Sequence, residues 1–222
     1  IRRKGTGSVG LVAFAGSGFL QCPLTRDYDA FFRTLEETDT SSIQVPGTDL
    51  GRALAEADAG VTVGLIPCAV GGTPLSRWSK GGDLYAQALV RAQAALKDGT
   101  LKGILWHQGE NDAGAEATAR NYAERLAKMV KDLRADLGAG DVPFVAGKLG
   151  EFLQRQDKDG KPSHWPLVNE QIASLPKLAP NCAVAESTGL KAKSDQVHFD
   201  TPSLREFGQR YAEAMKKLPA AR

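Results

Sequence analysis

Ile104-Leu105-Trp106-His107-Gln108-Gly109-Glu110-Asn111-Asp112 is the stretch from which the rest of the chain can be read. An apolar run from Gly103 to Trp106 turns abruptly polar, as a buried strand does when it delivers a loop. In parallel α/β sheets the carboxyl ends of strands are where ligands bind. His, Gln, Glu, Asn and Asp gathered around one flexible Gly exceed what a bare connection needs. A functional loop is therefore expected here, with Asn111 or Asp112 also capping the helix that follows.

Working outward, the same alternation recurs. Val9 to Ala15 reads as a first strand ending at Gly16-Ser17-Gly18, and Val61 to Ile66 as a second, closed by Pro67. Leu101–Trp106, Val142–Ala146 and Cys182–Ala185 are the remaining strands. Helical spacing is found over Asp27–Glu37, Thr48–Ala59, Leu84–Leu96, Ala115–Leu137 and Leu167–Leu175. A last helix runs over Pro202–Lys217, with Thr201 as its cap. Glu151–Trp165 and Lys191–Asp200 read as loops. Strands alternating with helices predict a mostly parallel five-stranded sheet with helices on both faces, a three-layer α/β/α sandwich. The 222 residues make one domain, without repeats or linkers.

Composition narrows the function. Hydrophobic residues are 42% and charged residues 24% of the chain, and the net charge of +2 is spread without a basic run, so nucleic acid is not the expected partner. No apolar segment approaches the roughly 20 residues of a membrane helix. Three widely spaced cysteines give neither a disulfide framework nor a CxxC pattern, and three histidines without paired spacing argue against a metal site. No cofactor motif appears. The chain opens on Ile1 rather than Met, which reads as trimming. Arg2-Arg3-Lys4 before Val9–Leu20 faintly resembles a signal peptide, and Cys22 a lipoprotein site, although Gln21 is too large to precede one. A bacterial cytoplasm and export both stay open, as does the oligomeric state.

Asp195-Gln196-Val197-His198 is the sharpest chemical pair. An Asp three residues before a His in one loop can set its carboxylate against Nδ1–H, leaving Nε2 to act as base toward a hydroxyl. A polar loop with a surface His has the same letters. Gly71-Gly72-Thr73 can turn backbone N–H groups toward an oxyanion, or simply make a turn that needs positive φ. Gln108 and Asn111 carry amide donors for the same spot, and Glu110 can hold a neighbour or bind substrate hydroxyls. His107 is equally readable as a structural hydrogen-bonder. Trp78 with Arg77 reads either as a sugar-stacking surface or as a pair at a helix entrance, and His164 as a residue bordering the cleft. A phosphate site on Gly71-Gly72 is the weaker reading, because no Walker Lys or GxGxxG accompanies it.

Val63 to Thr73, then Trp106 to Asp112, then Asp195 to His198 resemble, in order and spacing, the carbohydrate acetylesterases of family 6. This is the sialate O-acetylesterase-like domain of the SGNH hydrolase superfamily, and the likeness runs from about Val45 to Leu218. The resemblance implies a Ser-His-Asp hydrolase that removes acetyl groups from a carbohydrate, such as acetylxylan or an O-acetyl sialic acid, without metal. It implies Asp195 and His198 as acid and base, Gly72 and Gln108 in the oxyanion hole, and Asn111 in the place of the superfamily's Asn. One departure matters. The family's nucleophile lies in a Gly-Gln-Ser-Asn-Met stretch that this chain lacks, and Ser17 within Ala15-Gly16-Ser17-Gly18-Phe19 is the nearest candidate. Ser17 as a diverged nucleophile, a true first strand absent from this chain, and a binding domain that has lost its Ser all remain open.

Overall fold

Successive strand residues point to opposite faces, and here each face has its own apolar cluster. Ile104, Trp106, Phe144, Ala146 and Cys182 belong to one, whereas Leu105, Val145 and Ala185 belong to the other. A sheet buried on both sides needs apolar cover on both, which is the physical content of a three-layer sandwich. The computed structural model describes residues 8–12, 63–153 and 160–220, the first of these as backbone only. Ser17, Cys22 and the helices expected over 27–37 and 48–59 lie outside the described residues.

The strands are β1 (Ser8–Val12), β2 (Val63–Pro67), β3 (Ile104–Trp106), β4 (Phe144–Gly147) and β5 (Cys182–Ala185). All ladders are parallel, β1 with β2 and β3 with β4 with β5. The described residues thus carry two hydrogen-bonded sheets rather than one of five strands, and β1 lies alongside β3 where they meet. The strand order β2-β1-β3-β4-β5 is the flavodoxin-like one. The helices are α1 (Asp83–Ala95), α2 (Glu116–Arg120), α3 (Tyr122–Asp136), α4 (Trp165–Leu178) and α5 (Thr201–Lys216). α1, α3 and α4 cover the first face, and α5 covers the second through Leu204, Phe207, Tyr211 and Ala214. Among the described residues no helix is long and apolar enough to cross a membrane.

Several boundaries differ from the sequence reading, each for a tertiary reason. The helix expected over Ala115–Leu137 is broken at Asn121, with φ −106° and ψ 17°. At the break the Thr118 carbonyl accepts from Arg125 Nη2 (2.7 Å), while Arg125 Nε donates one turn back to Asn121 Oδ1 (2.8 Å). α4 runs through Pro176 in its last turn, where the missing N–H forfeits one bond, to the Ile172 carbonyl, and the helix ends two residues later. α5 is capped by Asp200, whose Oδ1 accepts from the Ser203 N–H at 2.8 Å, so Thr201 is its first residue rather than its cap. Lys191–Asp200 is a small hairpin rather than an open loop. Ala192 bridges Phe199, and the Lys193 N–H donates to the His198 carbonyl at 2.7 Å.

Candidate active site

Within that hairpin the D-x-x-H spacing closes on itself. Asp195 Oδ1 accepts from the backbone N–H groups of Val197 and His198, each at 2.9 Å. An Asx-type turn of this kind holds Gln196 in the left-handed region, at φ +54°. The other carboxylate oxygen, Oδ2, lies 2.8 Å from His198 Nδ1. One Asp therefore shapes the turn and orients the imidazole. The backbone N–H of His198, its ring and the Val197 N–H together hold the Asp195 carboxyl well below the usual carboxylate range. With the carboxylate ionised, Nδ1 carries the proton and Nε2 is left as the acceptor. The side chains of Asp195 and His198 are 45% and 46% exposed, so the pair meets solvent.

The loop after β2 and the loop after β3 are joined at three points. Gln108 Nε2 donates to the Thr73 carbonyl (3.0 Å), Asn111 Nδ2 to the Gly72 carbonyl (3.3 Å), and the Leu75 N–H to Asp112 Oδ2 (2.8 Å). Gly72 has φ +67° and is exposed, so its turn rests on a conformation that other residues rarely adopt. Asn111 is exposed beside it. Gln108, 1% exposed, spends its second amide hydrogen on Asp112 Oδ2 at 2.7 Å. The expected oxyanion donor is thus corrected: with both Nε2 hydrogens engaged and the side chain buried, Gln108 ties two loops together.

Asp112 is buried too, and it does not cap the helix as expected. Its carboxylate accepts from Leu75, Gln108 and, at 2.7 Å, Arg125 Nη2. Asn111 makes no side-chain cap bond either. Arg125 and Tyr122 were invisible as site residues in the sequence. Asp112 stood there as one letter of the polar loop, where a helix cap explains it as well and nothing announces its partners. Tyr122 links the network to β3, accepting from Trp106 Nε1 (3.1 Å) and donating to the Gln108 carbonyl (2.7 Å). Burial keeps the Tyr122 hydroxyl protonated far above its ordinary range.

His107 and Glu110 connect this loop to the Asp195–His198 hairpin. His107 packs on Phe199, the residue after His198, with ring centroids 5.7 Å apart, and meets Phe207 edge-on at 5.5 Å. Its Nε2 lies 3.5 Å from Glu110 Oε1, while its buried Nδ1 has no hydrogen-bond partner among the described residues. Burial works against the Glu110 carboxylate, yet hydrogen bonding and charge from His107, a backbone N–H and the charge of His198 outweigh it and hold the group below the usual range. Trp78 is not a sugar platform. It is 2% exposed, packs edge-on against Trp106 and donates Nε1 to Thr73 Oγ1 at 2.9 Å. Arg77 instead pairs with Asp83 at the start of α1. The His164 N–H donates to the Ala113 carbonyl, beside the loop after β3.

Parallel strands in this order, with an Asp–His pair before the last helix and a cross-braced loop after β3, make an SGNH-type hydrolase fold. Solved structures agree. A carbohydrate acetylesterase from Xanthomonas citri superposes with a TM-score of 0.68 at 23% identity, over 96% of this chain and 56% of that one. A GDSL-like lipase fold from Parabacteroides merdae matches with a TM-score of 0.61 at 12% identity, over 97% of this chain and 99% of that one. The family profile of carbohydrate esterases described as sialic acid-specific acetylesterases matches residues 20–217, and the chain belongs to that family. A probable carbohydrate esterase from Arabidopsis thaliana is 31% identical over 184 residues, which cover 79% of this chain and 66% of the plant protein. The chain thus spans just under two thirds of that relative. The Arabidopsis crystal structure superposes with a TM-score of 0.67 at 28% identity, over 78% of this chain and 68% of that one.

Proposed function

We propose that this chain is a serine esterase that removes O-acetyl groups from a carbohydrate, acetylxylan or an O-acetyl sialic acid being the substrate classes that the family suggests. The observation that carries the reading is the Asp195–His198 pair, an oriented and solvent-facing imidazole whose carboxylate stays ionised. In this reading the Ser17 hydroxyl attacks the acetyl carbonyl carbon while His198 Nε2 takes its proton. The carbonyl oxygen gains charge and is met by the backbone N–H at Gly72 and the amide of Asn111. The bond to the sugar oxygen then breaks, the sugar leaves as a hydroxyl with the proton from His198, and an acetyl-enzyme remains. Water, activated by the same imidazole, releases acetate and restores the serine. Glu110 faces the same region and binds sugar hydroxyls or steadies the imidazolium.

The test is p-nitrophenyl acetate turnover by wild type and Ser17→Ala, with intact mass after fluorophosphonate treatment. Turnover with one label on Ser17 supports the whole reading. Turnover that survives Ser17→Ala, with the label on another serine, keeps the esterase and replaces the nucleophile. A second reading, a carbohydrate-binding domain on the same scaffold, rests on the missing Gly-Gln-Ser-Asn-Met stretch. It is favoured if wild type neither labels nor turns over yet binds an acetylated sugar.

A further inference from the structure

We propose that Asp112 and Arg125 are positioning residues that set the direction of the backbone N–H groups in the Gly71-Gly72-Thr73 turn. The inference rests on the esterase reading, in which that turn meets the developing oxyanion. Gly72 at the tip of the turn is exposed with φ +67°, while Thr73 is buried and its Oγ1 donates to the Val70 carbonyl at 2.8 Å, the one side-chain bond within the turn. The direction of the glycine N–H groups is further set from outside. Asp112 Oδ2 takes the N–H of Leu75 at 2.8 Å, just beyond the turn, and also takes Gln108 Nε2 at 2.7 Å. That same Nε2 holds the Thr73 carbonyl at 3.0 Å. The carbonyl side of the turn and the N–H two residues later are thus referred to one carboxylate.

Asp112 is held in an ion pair with Arg125. Charge-assisted bonds are the short and strong ones, and a buried anion needs a cation to be tolerated. Arg125 supplies it through Nη2 at 2.7 Å to Oδ1, with its own position fixed by the Thr118 carbonyl and by Asn121 Oδ1. The Arg125 side chain reaches in from α3 and is 26% exposed, whereas the Asp112 side chain is 1% exposed. The break between α2 and α3 at Asn121 accompanies this arrangement. A continuous helix would spend the Thr118 carbonyl on its own ladder, whereas here it accepts from the guanidinium.

Removing Arg125 leaves a buried carboxylate with neutral donors only. It can then turn away from the vacated space, and that change releases Leu75 or Gln108 and with them the turn. Because misplacement of a reacting group by about 1 Å can cost about 100-fold in rate, Arg125→Ala is expected to lower kcat about 10- to 100-fold. KM should stay within about twofold, since the donors act mainly on the transition state. Arg125→Lys keeps the cation but not the fork and should recover part of kcat. Hydrogen exchange followed by mass spectrometry should show faster amide exchange over residues 71–75 in Arg125→Ala, with α5 unchanged.

Wild-type turnover with kcat and exchange over 71–75 both unaltered in Arg125→Ala overturns the proposal and leaves the esterase reading intact. If kcat falls but the Lys variant recovers nothing and exchange rises everywhere, the pair is merely structural and the proposal also fails. If wild type shows no esterase activity while exchange over 71–75 still rises in both variants, the positioning role stands and the esterase reading fails. Should Arg125→Ala not fold, the Lys variant alone decides, since unaltered kcat and exchange in it would show that the fork is not needed.

Discussion

Asp195 holds His198 twice, through Oδ1 on its backbone N–H and through Oδ2 on its ring Nδ1. The carboxylate therefore fixes the tautomer and the place of the imidazole together. Replacing His198 with Ala should lower kcat on an acetyl ester by about 1,000-fold or more, and Asp195→Asn by about 10,000-fold if the wrong tautomer results. Both side chains are about half exposed, so His198→Ala should change the urea unfolding free energy by no more than about 0.5 kcal/mol. Activity that survives His198→Ala would falsify the assignment of the base.

The same hydrogen bonds have a pH consequence. The folded pKa of Asp195 lies below that of a free aspartate, near 3.9. A depressed carboxyl contributes stability that is fully present above the unfolded value and is lost as pH falls toward the folded one. The hairpin 191–200 should therefore keep its structure through neutral and mildly acidic pH and loosen only well below pH 4. A carboxyl-carbon NMR titration should show no Asp195 midpoint in the ordinary aspartate range. A midpoint near 4 would mean that the pair is not formed in solution.

Gly109, at the hinge of the loop after β3, is expected to tolerate no side chain. Its φ is +151°, and a Cβ there would stand 2.8 Å from Val168 Cγ1 and 3.3 Å from both Leu149 δ carbons. Gly109→Ala combines backbone strain with an overpacked contact, and should cost roughly 2 to 4 kcal/mol in denaturant unfolding. Because the loop carries Gln108, Glu110 and Asn111, kcat should fall as well. An alanine variant as stable as wild type would show that the loop has room to shift.

The sequence disclosed what local periodicity and composition control. β5 has the bounds that its apolar run indicates, and α1 falls within one residue of its Ala-rich pattern. The SGNH-type fold followed from the alternation and from three short motifs. What was not legible depends on partners far along the chain. Nothing in Ala115–Leu137 announces that the helix breaks at Asn121 or that Arg125 reaches Asp112. Asp112 and Gln108 look like loop residues until burial and the bonds to Leu75 and Thr73 are seen. Trp78 has the composition of a sugar-binding residue, and only its packing on Trp106 places it in the core.

Arg134 shows the opposite end of the sheet at work. It is 5% exposed on α3, and its guanidinium donates to the carbonyls of Val142, Pro180 and Asn181 at 2.7 to 3.0 Å, just before β4 and β5 begin. These contacts pin the amino ends of two adjacent strands, away from the carboxyl ends that bear the Asp–His pair. Arg134→Met keeps much of the side-chain volume and strands the carbonyls, so a loss of about 3 to 5 kcal/mol is expected. Arg134→Lys should recover little, since one ammonium cannot span a fork of this width. In both variants kcat per folded molecule should match wild type, measured well below the lowered melting temperature. A fall in kcat without a fall in stability would mean that the two ends of the sheet are coupled.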